Sequence, residues 1–313
     1  MTRTFNHPGP ATTWSTVETL LLQAYPMDYL GLAMHRAAEA LQLGDLPLAT
    51  PILDLGCHDG TFAGLALSGR VRPEHLVGCD RDFGALSRPH ATGTYCRIAG
   101  AEVARLPFRE GTFSTVLCNS VLTHLENLDS SLAEIRRILR PSGRLLASVP
   151  TPHFHALLAP CQLARAAGFT ITADRLGRAY DRAWGQRHFL DRRGWALRLQ
   201  TAGLRLEAWT EYLGPRASML WSGLFLATRL GVRRLTLGAI LRRIIPTGTR
   251  RAAVLERALA PRLAKYLGGT GPGGSAFLVA SVEHGDGSRC RLAVGCEVPK
   301  ATRTNVRAPR QCA

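Results

Sequence analysis

The residues with the clearest chemical promise lie in Pro51-Ile52-Leu53-Asp54-Leu55-Gly56-Cys57-His58-Asp59-Gly60 and at Asp80. Gly56 and Gly60 stand four apart, just after a short apolar run that carries Asp54. Glycines in such a turn let bare backbone come up against a ligand at the carboxyl end of a strand. Asp80 follows a second apolar run, Leu76-Val77-Gly78-Cys79. A carboxylate at a strand tip can accept protons from two vicinal hydroxyls, as a ribose presents them. The stretch therefore predicts a nucleoside-containing ligand. A lone glycine-rich turn does not say which, because nicotinamide enzymes use one too.

The elements that must position these groups follow from the pattern around them. Ile52–Leu55, bounded by Pro51 and Gly56, reads as a buried strand of a parallel sheet, and Thr61 to Leu67 suits the helix after it. Tyr95 to Ile98 is expected as a third strand and Phe113 to Asn119 as a fourth. Asp129 is placed as the N-cap of a helix from Ser131 to Arg140, stopped by Pro141-Ser142-Gly143. Gly143 to Val149 reads as a fifth strand, ended by Pro150. Asp191 caps a helix running to Ala202-Gly203, and strands are expected at Leu204–Trp209 and Ser275–Glu283. This alternation predicts an α/β, doubly wound parallel sheet.

Four regions result. Residues 1–47 form an N-terminal helical cap, with helical spacing from Val17 to Leu43 broken at Pro26. Residues 48–213 and 275–284 form the core, 214–274 an Arg-rich helical insertion, and 285–313 a polar, basic, disordered tail.

At 313 residues and 46% hydrophobic content the chain can bury a large core. The net charge of +16 is carried by arginine, since only Lys265 and Lys300 among 39 basic residues are lysines. Such a bias reflects genome composition as readily as an anionic partner. The chain has no CxxC pair, so no metal or redox site is expected. Met1 to Pro8 carries no apolar signal-peptide core, and no apolar run is long enough to span a bilayer, so a reducing, cytoplasmic setting is expected.

The motifs, taken in order, resemble those of the class I S-adenosylmethionine-dependent methyltransferases, in particular their small-molecule group. The matching blocks are Ile52-Leu53-Asp54-Leu55-Gly56-Cys57 with Gly60; Val77-Gly78-Cys79-Asp80; Glu102 before Leu106-Pro107-Phe108; Phe113, Asn119 and His124-Leu125; and Glu134-Ile135 with Arg137, Leu139, Pro141 and Gly143. The resemblance covers residues 48–150. It implies a Rossmann-like seven-stranded sheet with an antiparallel last strand, the helical insertion preceding that strand. It also implies S-adenosylmethionine as cofactor. Asp54 would orient the turn, with Gly56, Cys57, His58 and Gly60 against the methionine and ribose part. Asp80, beside Arg81, would take the ribose hydroxyls. Glu102 would accept from the adenine amino group between Ala101 and Val103, and Asn119 and Ser120 would lie near the transferring methyl. The sequence departs from the family at His58, where a glycine is usual, at Glu102, where aspartate is commoner, and at Ser114, where aspartate is frequent.

Methyl transfer from a sulfonium needs mainly a positioned acceptor, and a base only where the acceptor must lose a proton. His188, His153 and His124 are the candidate bases, with His155 beside His153 as a further one; packing roles are the alternative for each. The insertion carries Met219, Leu220, Trp221, Leu224, Phe225, Leu226 and Leu230 at helical spacing. Arg229, Arg233, Arg234, Arg242, Arg243, Arg250 and Arg251 accompany them. Such a segment, through 214–251, suits an anionic membrane surface or a lipid-like acceptor; a helical lid with solvated arginines is the alternative. The expected function is methylation, most simply at oxygen, of a small or lipid-linked metabolite by a cytoplasmic enzyme, membrane-associated if that segment makes the contact. A nucleic-acid (RNA) methyltransferase would suit the charge, but Asn119-Ser120-Val121-Leu122 lacks the N/D-P-P-Y/F pattern of an amine-methylating site, and no RNA-binding module is legible. A non-catalytic cofactor-binding scaffold is the reading His58 motivates. A nicotinamide-dependent oxidoreductase is disfavoured by the glycine spacing.

Overall fold

The structure, a computed structural model, describes residues 30–44, 46–82, 84, 93–229, 231–232, 235–244 and 272–283. The lead-in before residue 30, Leu230, Arg233, Arg234, Arg250, Arg251, the side chain of Arg242 and the tail from 284 lie outside the described residues.

The chain builds α1 (Leu30–Leu43), β1 (Ile52–Leu55), α2 (Thr61–Ala66), β2 (Leu76–Asp80), β3 (Arg97–Gly100) and β4 (Phe113–Asn119). Then come α3 (Leu128–Ile138), β5 (Leu139–Pro150), α4 (Phe154–Leu157), α5 (Ala159–Ala166), α6 (Thr170–Trp184), α7 (Arg192–Thr201) and β6 (Leu204–Tyr212). The last part holds α8 (Pro215–Ala227), the short ribbon β7 (Gly231–Val232) with β8 (Leu235–Thr236), α9 (Leu237–Ile244) and β9 (Ser275–Val282). Seven strands form one sheet in the order β3-β2-β1-β4-β5-β9-β6. β1 pairs in parallel with β2 and β4, whereas β9 runs antiparallel between β5 and β6. The fold is thus the Rossmann-like α/β sheet with an antiparallel last strand that the resemblance implied.

The alternation of side chains along the strands divides the core between the two faces. On one face Ile52, Leu117, Leu146, Phe277 and Val279 meet Met34 and Ala37 of α1 and Trp221 and Phe225 of α8. On the other, Leu53, Val116, Leu145 and Leu278 meet Leu132 and Ile135 of α3 and Trp195 and Leu199 of α7.

Several boundaries differ from the sequence reading. The third strand starts at Arg97, and Tyr95 belongs to a single bridge before it, because its ring is buried and its hydroxyl reaches Asp54. The helix expected from Ser131 starts at Leu128, which is buried, so Asn127 occupies the N-cap position and Asp129 lies in the first turn. Asp129 instead accepts a bond from Arg198 of α7 at 2.5 Å. β5 begins directly at Leu139, so the Pro141-Ser142-Gly143 turn falls inside its span. Asp191 does cap α7, accepting from the Gly194 amide at 2.7 Å. In the insertion, α8 turns Ala217, Trp221 and Phe225 inward against α1, which leaves Met219 and Leu226 partly exposed.

Candidate active site

The β1 and β2 tips, the turn after β1 and the end of β4 surround a cavity of about 870 Å³. The turn is fixed from behind: the Gly56 and Cys57 amides both donate to the Cys79 carbonyl, at 2.7 and 3.2 Å. Gly56 has φ +80, and a Cβ there would come within 2.2 Å of the Val121 methyl. Only glycine fits that position without displacing the chain that follows β4. Gly60, also at positive φ, sits at the N-cap of α2 and is not among the residues that line the cavity.

His58 takes the place of a turn glycine in the left-handed region, with φ 48. Histidine is among the residues enriched there. Its amide donates to one oxygen of Asp80 at 2.9 Å, and the Asp82 amide donates to the other at 2.9 Å. Each carboxylate oxygen has roughly two acceptor positions, so one on each stays available for a diol in the cavity. The His58 side chain is 58% exposed and lies 3.6 Å from Asp59. That neighbour holds the Asp59 carboxyl well below the usual range.

Asp54 lies under the turn and is buried, accepting from the Tyr95 hydroxyl at 2.6 Å. Burial raises its carboxyl to about 6, although Tyr95 and Arg36 pull in the opposite direction. Burial likewise lifts Cys79 to about 12, so the cysteines around the turn are apolar fillers rather than thiolates.

At the far side, β4 ends in Asn119 and Ser120. Asn119 is buried to 9% exposure, lines the cavity, and neither of its amide atoms has a partner. A buried polar group in that state calls for a ligand or water to complete it. Ser120 has φ 55, and its amide bonds the Ser148 carbonyl and hydroxyl at the end of β5. Its hydroxyl donates to Glu39 at 2.5 Å, and the Ser148 hydroxyl donates to the same oxygen at 2.7 Å.

Glu39 and Arg36 escaped the sequence reading. Both stand on α1, and Arg36 donates to Glu39 at 2.6 Å while lining the cavity. Burial would raise the Glu39 carboxyl, but Arg36, His35 and the two serines outweigh it and hold the group below its usual range. A glutamate set among Ala33, Met34, Ala37, Ala38 and Ala40, all buried, was the signal available in the sequence.

All the expected cofactor residues except Gly60 meet at this one cavity: Asp54, Gly56, Cys57, His58, Asp80, Arg81, Ala101, Glu102, Val103, Asn119 and Ser120. Of the candidate bases only His124 does. Its Nδ1 faces the Gly185 carbonyl at 3.2 Å, which puts the proton there and leaves Nε2 with the lone pair. Burial lowers its pKa, so the ring is neutral near pH 7. His188 lies outside the lining with its Nε2 bonded to the Leu125 carbonyl at 2.7 Å, and His153 is an exposed residue at the start of α4. His155 is bonded to Asp181 between α4 and α6, away from the lining.

Residues 53–147 match the family model described as a methyltransferase domain. The uncharacterized methyltransferase YodH of Bacillus subtilis (strain 168) is 38% identical over 118 residues, covering 37% of this chain and 49% of that protein. A malonyl-[acyl-carrier protein] O-methyltransferase of Methylovorus sp. (strain MP688) is 31% identical over 110 residues, 32% of this chain and 37% of that protein. A demethylmenaquinone methyltransferase of Streptomyces avermitilis is 26% identical over 121 residues, 38% of this chain and 51% of that protein. The chain thus spans about half or less of the length of these relatives. The matched segment holds the glycine turn, Asp80, Glu102, Asn119 and Ser120, and its cavity suits a nucleoside with a diol and a polar group for Asn119. Residues 53–147 thus carry a methyltransferase domain, consistent with the class I S-adenosylmethionine-dependent enzymes that the motifs resemble.

Proposed function

We propose that the chain transfers a methyl group from S-adenosylmethionine to a small or lipid-linked metabolite, at oxygen. The observation that carries this reading is the Asp80 carboxylate, fixed by two backbone amides with acceptor capacity turned to a cavity that ends at the unpartnered Asn119. Asp80 would receive the ribose hydroxyls, Glu102 the adenine amino group, and Asn119 with Ser120 the methionine end. The cofactor supplies an activated methyl on a sulfonium, so the protein has to hold the acceptor in line and keep water out. Neutral His124, with Nε2 unprotonated, would take the proton of a hydroxyl acceptor.

The relatives named for malonyl-[acyl-carrier protein] and demethylmenaquinone favour an acceptor carried on, or built as, a lipid-like molecule. The scaffold reading rested on His58 closing the turn. Its backbone adopts the left-handed conformation that the turn needs and its ring is more than half exposed, which argues for an open cofactor site. Among the described residues no helix is long and apolar enough to cross a membrane.

Calorimetric titration with S-adenosylmethionine, S-adenosylhomocysteine and NADH tests the reading. Binding of the two sulfur nucleosides alone, lost in Asp80→Ala, is expected; binding of NADH, or none that depends on Asp80, would refute it. Once an acceptor is found, His124→Gln should lower kcat and remove the acid limb of its pH profile.

A further inference from the structure

Three of the four most exposed large apolar side chains of the described residues gather outside the cavity, at the tip of the helical hairpin formed by α5 and α6; the fourth, Leu197, stands by itself on α7. Leu163 is 62% exposed, Phe169 63% and Ile171 68%. The tip is tightly turned: the Phe169 amide donates to the Ala164 carbonyl at 2.8 Å, and Gly168 has φ +83. Large apolar groups held out on an ordered turn are costly in water, and clusters of them mark contact sites.

Behind the tip, α6 carries a row of cations. Ala173 and Gly177 are its buried side. Ile171, Arg175, Arg178 and Arg182, spaced by four, three and four residues, share the opposite stripe and are exposed. None of these three arginines forms an ion pair among the described residues, whereas Arg165 is neutralised by Asp174 at 2.7 Å and Asp181 is bonded to His155. The nearest cation of the row stands one turn, about 6 Å, from Ile171 along the helix. Apolar faces of interfacial helices sink roughly 5–10 Å into the headgroup and acyl boundary. Side chains that sink this far would leave Arg175 at the level of the phosphates, with Arg178 and Arg182 available to further headgroups.

We infer that the α5–α6 hairpin docks the protein on an anionic lipid surface, with Leu163, Phe169 and Ile171 inserted and Arg175, Arg178 and Arg182 on lipid phosphates. This contact lies outside the 214–251 segment that the sequence suggested, whose main helix α8 spends Trp221 and Phe225 on α1. A fluid lipid surface suits the patch better than a protein partner, because the apolar groups protrude from a convex turn and the arginines form an open row that any phosphate can meet. The inference does not rest on the methyl-transfer reading.

Co-sedimentation of the full chain with vesicles of phosphatidylcholine, alone or mixed equally with phosphatidylglycerol, tests it. Binding to the mixed vesicles only is expected, weakening as salt rises. The double substitution Phe169→Ser and Ile171→Ser should reduce that binding by about tenfold or more, and Arg175→Gln with Arg178→Gln should remove most of its salt dependence. Thermal unfolding of both variants should match the parent, since all four side chains are exposed. No binding of the parent to anionic vesicles would overturn the inference. So would undiminished binding of the double variant, which would move the contact to another surface such as α9. Self-association that the double variant abolishes, without vesicle binding, would make the occupant a second copy and overturn it too.

Discussion

Asp54→Asn should make this protein more stable at neutral pH. The Asp54 carboxyl is buried and titrates near 6 in the folded chain, against an ordinary value of 3.8. At about 1.36 kcal/mol per unit, that gap is worth roughly 3 kcal/mol. The sign follows from proton counting. Between pH 3.8 and 6 the folded chain binds the proton and the unfolded chain releases it, so stability falls as pH rises through this window. Above it the native state carries the full cost of a buried carboxylate. Asparagine removes the charge and keeps an oxygen to accept the Tyr95 hydroxyl, now at 2.6 Å from Asp54. Urea unfolding at pH 7 should therefore give the variant an advantage of about 1–3 kcal/mol, the lower figure allowing for amide hydrogens that must find new acceptors. At pH 4 the two proteins should be close to equal. The cofactor should bind more weakly to the variant at pH 7, since the charge lies beneath the turn that would hold it. An equal difference at both pH values, or a variant less stable at pH 7, would refute this account of the buried carboxylate.

Other substitutions examine the same frame. Gly56→Ala must adopt φ near +80 and put its Cβ against the Val121 methyl, so a loss of about 2–4 kcal/mol is expected; Val121→Ala should recover only the steric share, as a double-mutant cycle in urea would read. Glu39→Ala removes the acceptor that two serine hydroxyls and the Arg36 guanidinium share, for about 2–4 kcal/mol once the partial exposure of Arg36 is allowed for. The folded Glu39 carboxyl lies below its usual 4.5, so its contribution is complete above that pH and lost as pH falls through the folded value. A urea series at pH 7 and pH 3 should show the deficit of the variant shrinking on the acid side. His58→Gly should relieve the left-handed backbone and gain about 1 kcal/mol, or somewhat less after the entropy cost of glycine, while leaving the amide bond to Asp80 in place.

What the sequence made legible was local, and what it concealed depended on contacts between distant segments. The glycine turn and the strand-end carboxylate announce themselves because close backbone approach and a paired acceptor at a strand tip restrict residue types within a few positions. That is why Asp54, Gly56 and Asp80 could be placed before any fold was known. The start of α3 was misread because Asp129 looks like a cap, yet burying Leu128 decided the boundary and left Asp129 to Arg198. Among the histidines the sequence favoured His188, before the capped helix, and His153, after the fifth strand, over His124 at a helix entry, where packing was the stronger reading. Only the folding of the 3-10 turn Leu122–His124 against Gly185 brings one of them to the cavity. The same reason hid α1. Helical periodicity marked it as a cover, but Glu39 becomes meaningful only when β4 and β5 bring Ser120 and Ser148 beneath it. A carboxylate that no single stretch explains thus ties the cap to the strand ends that form the site. Cap position and cavity geometry should then change together in any variant that breaks the tie.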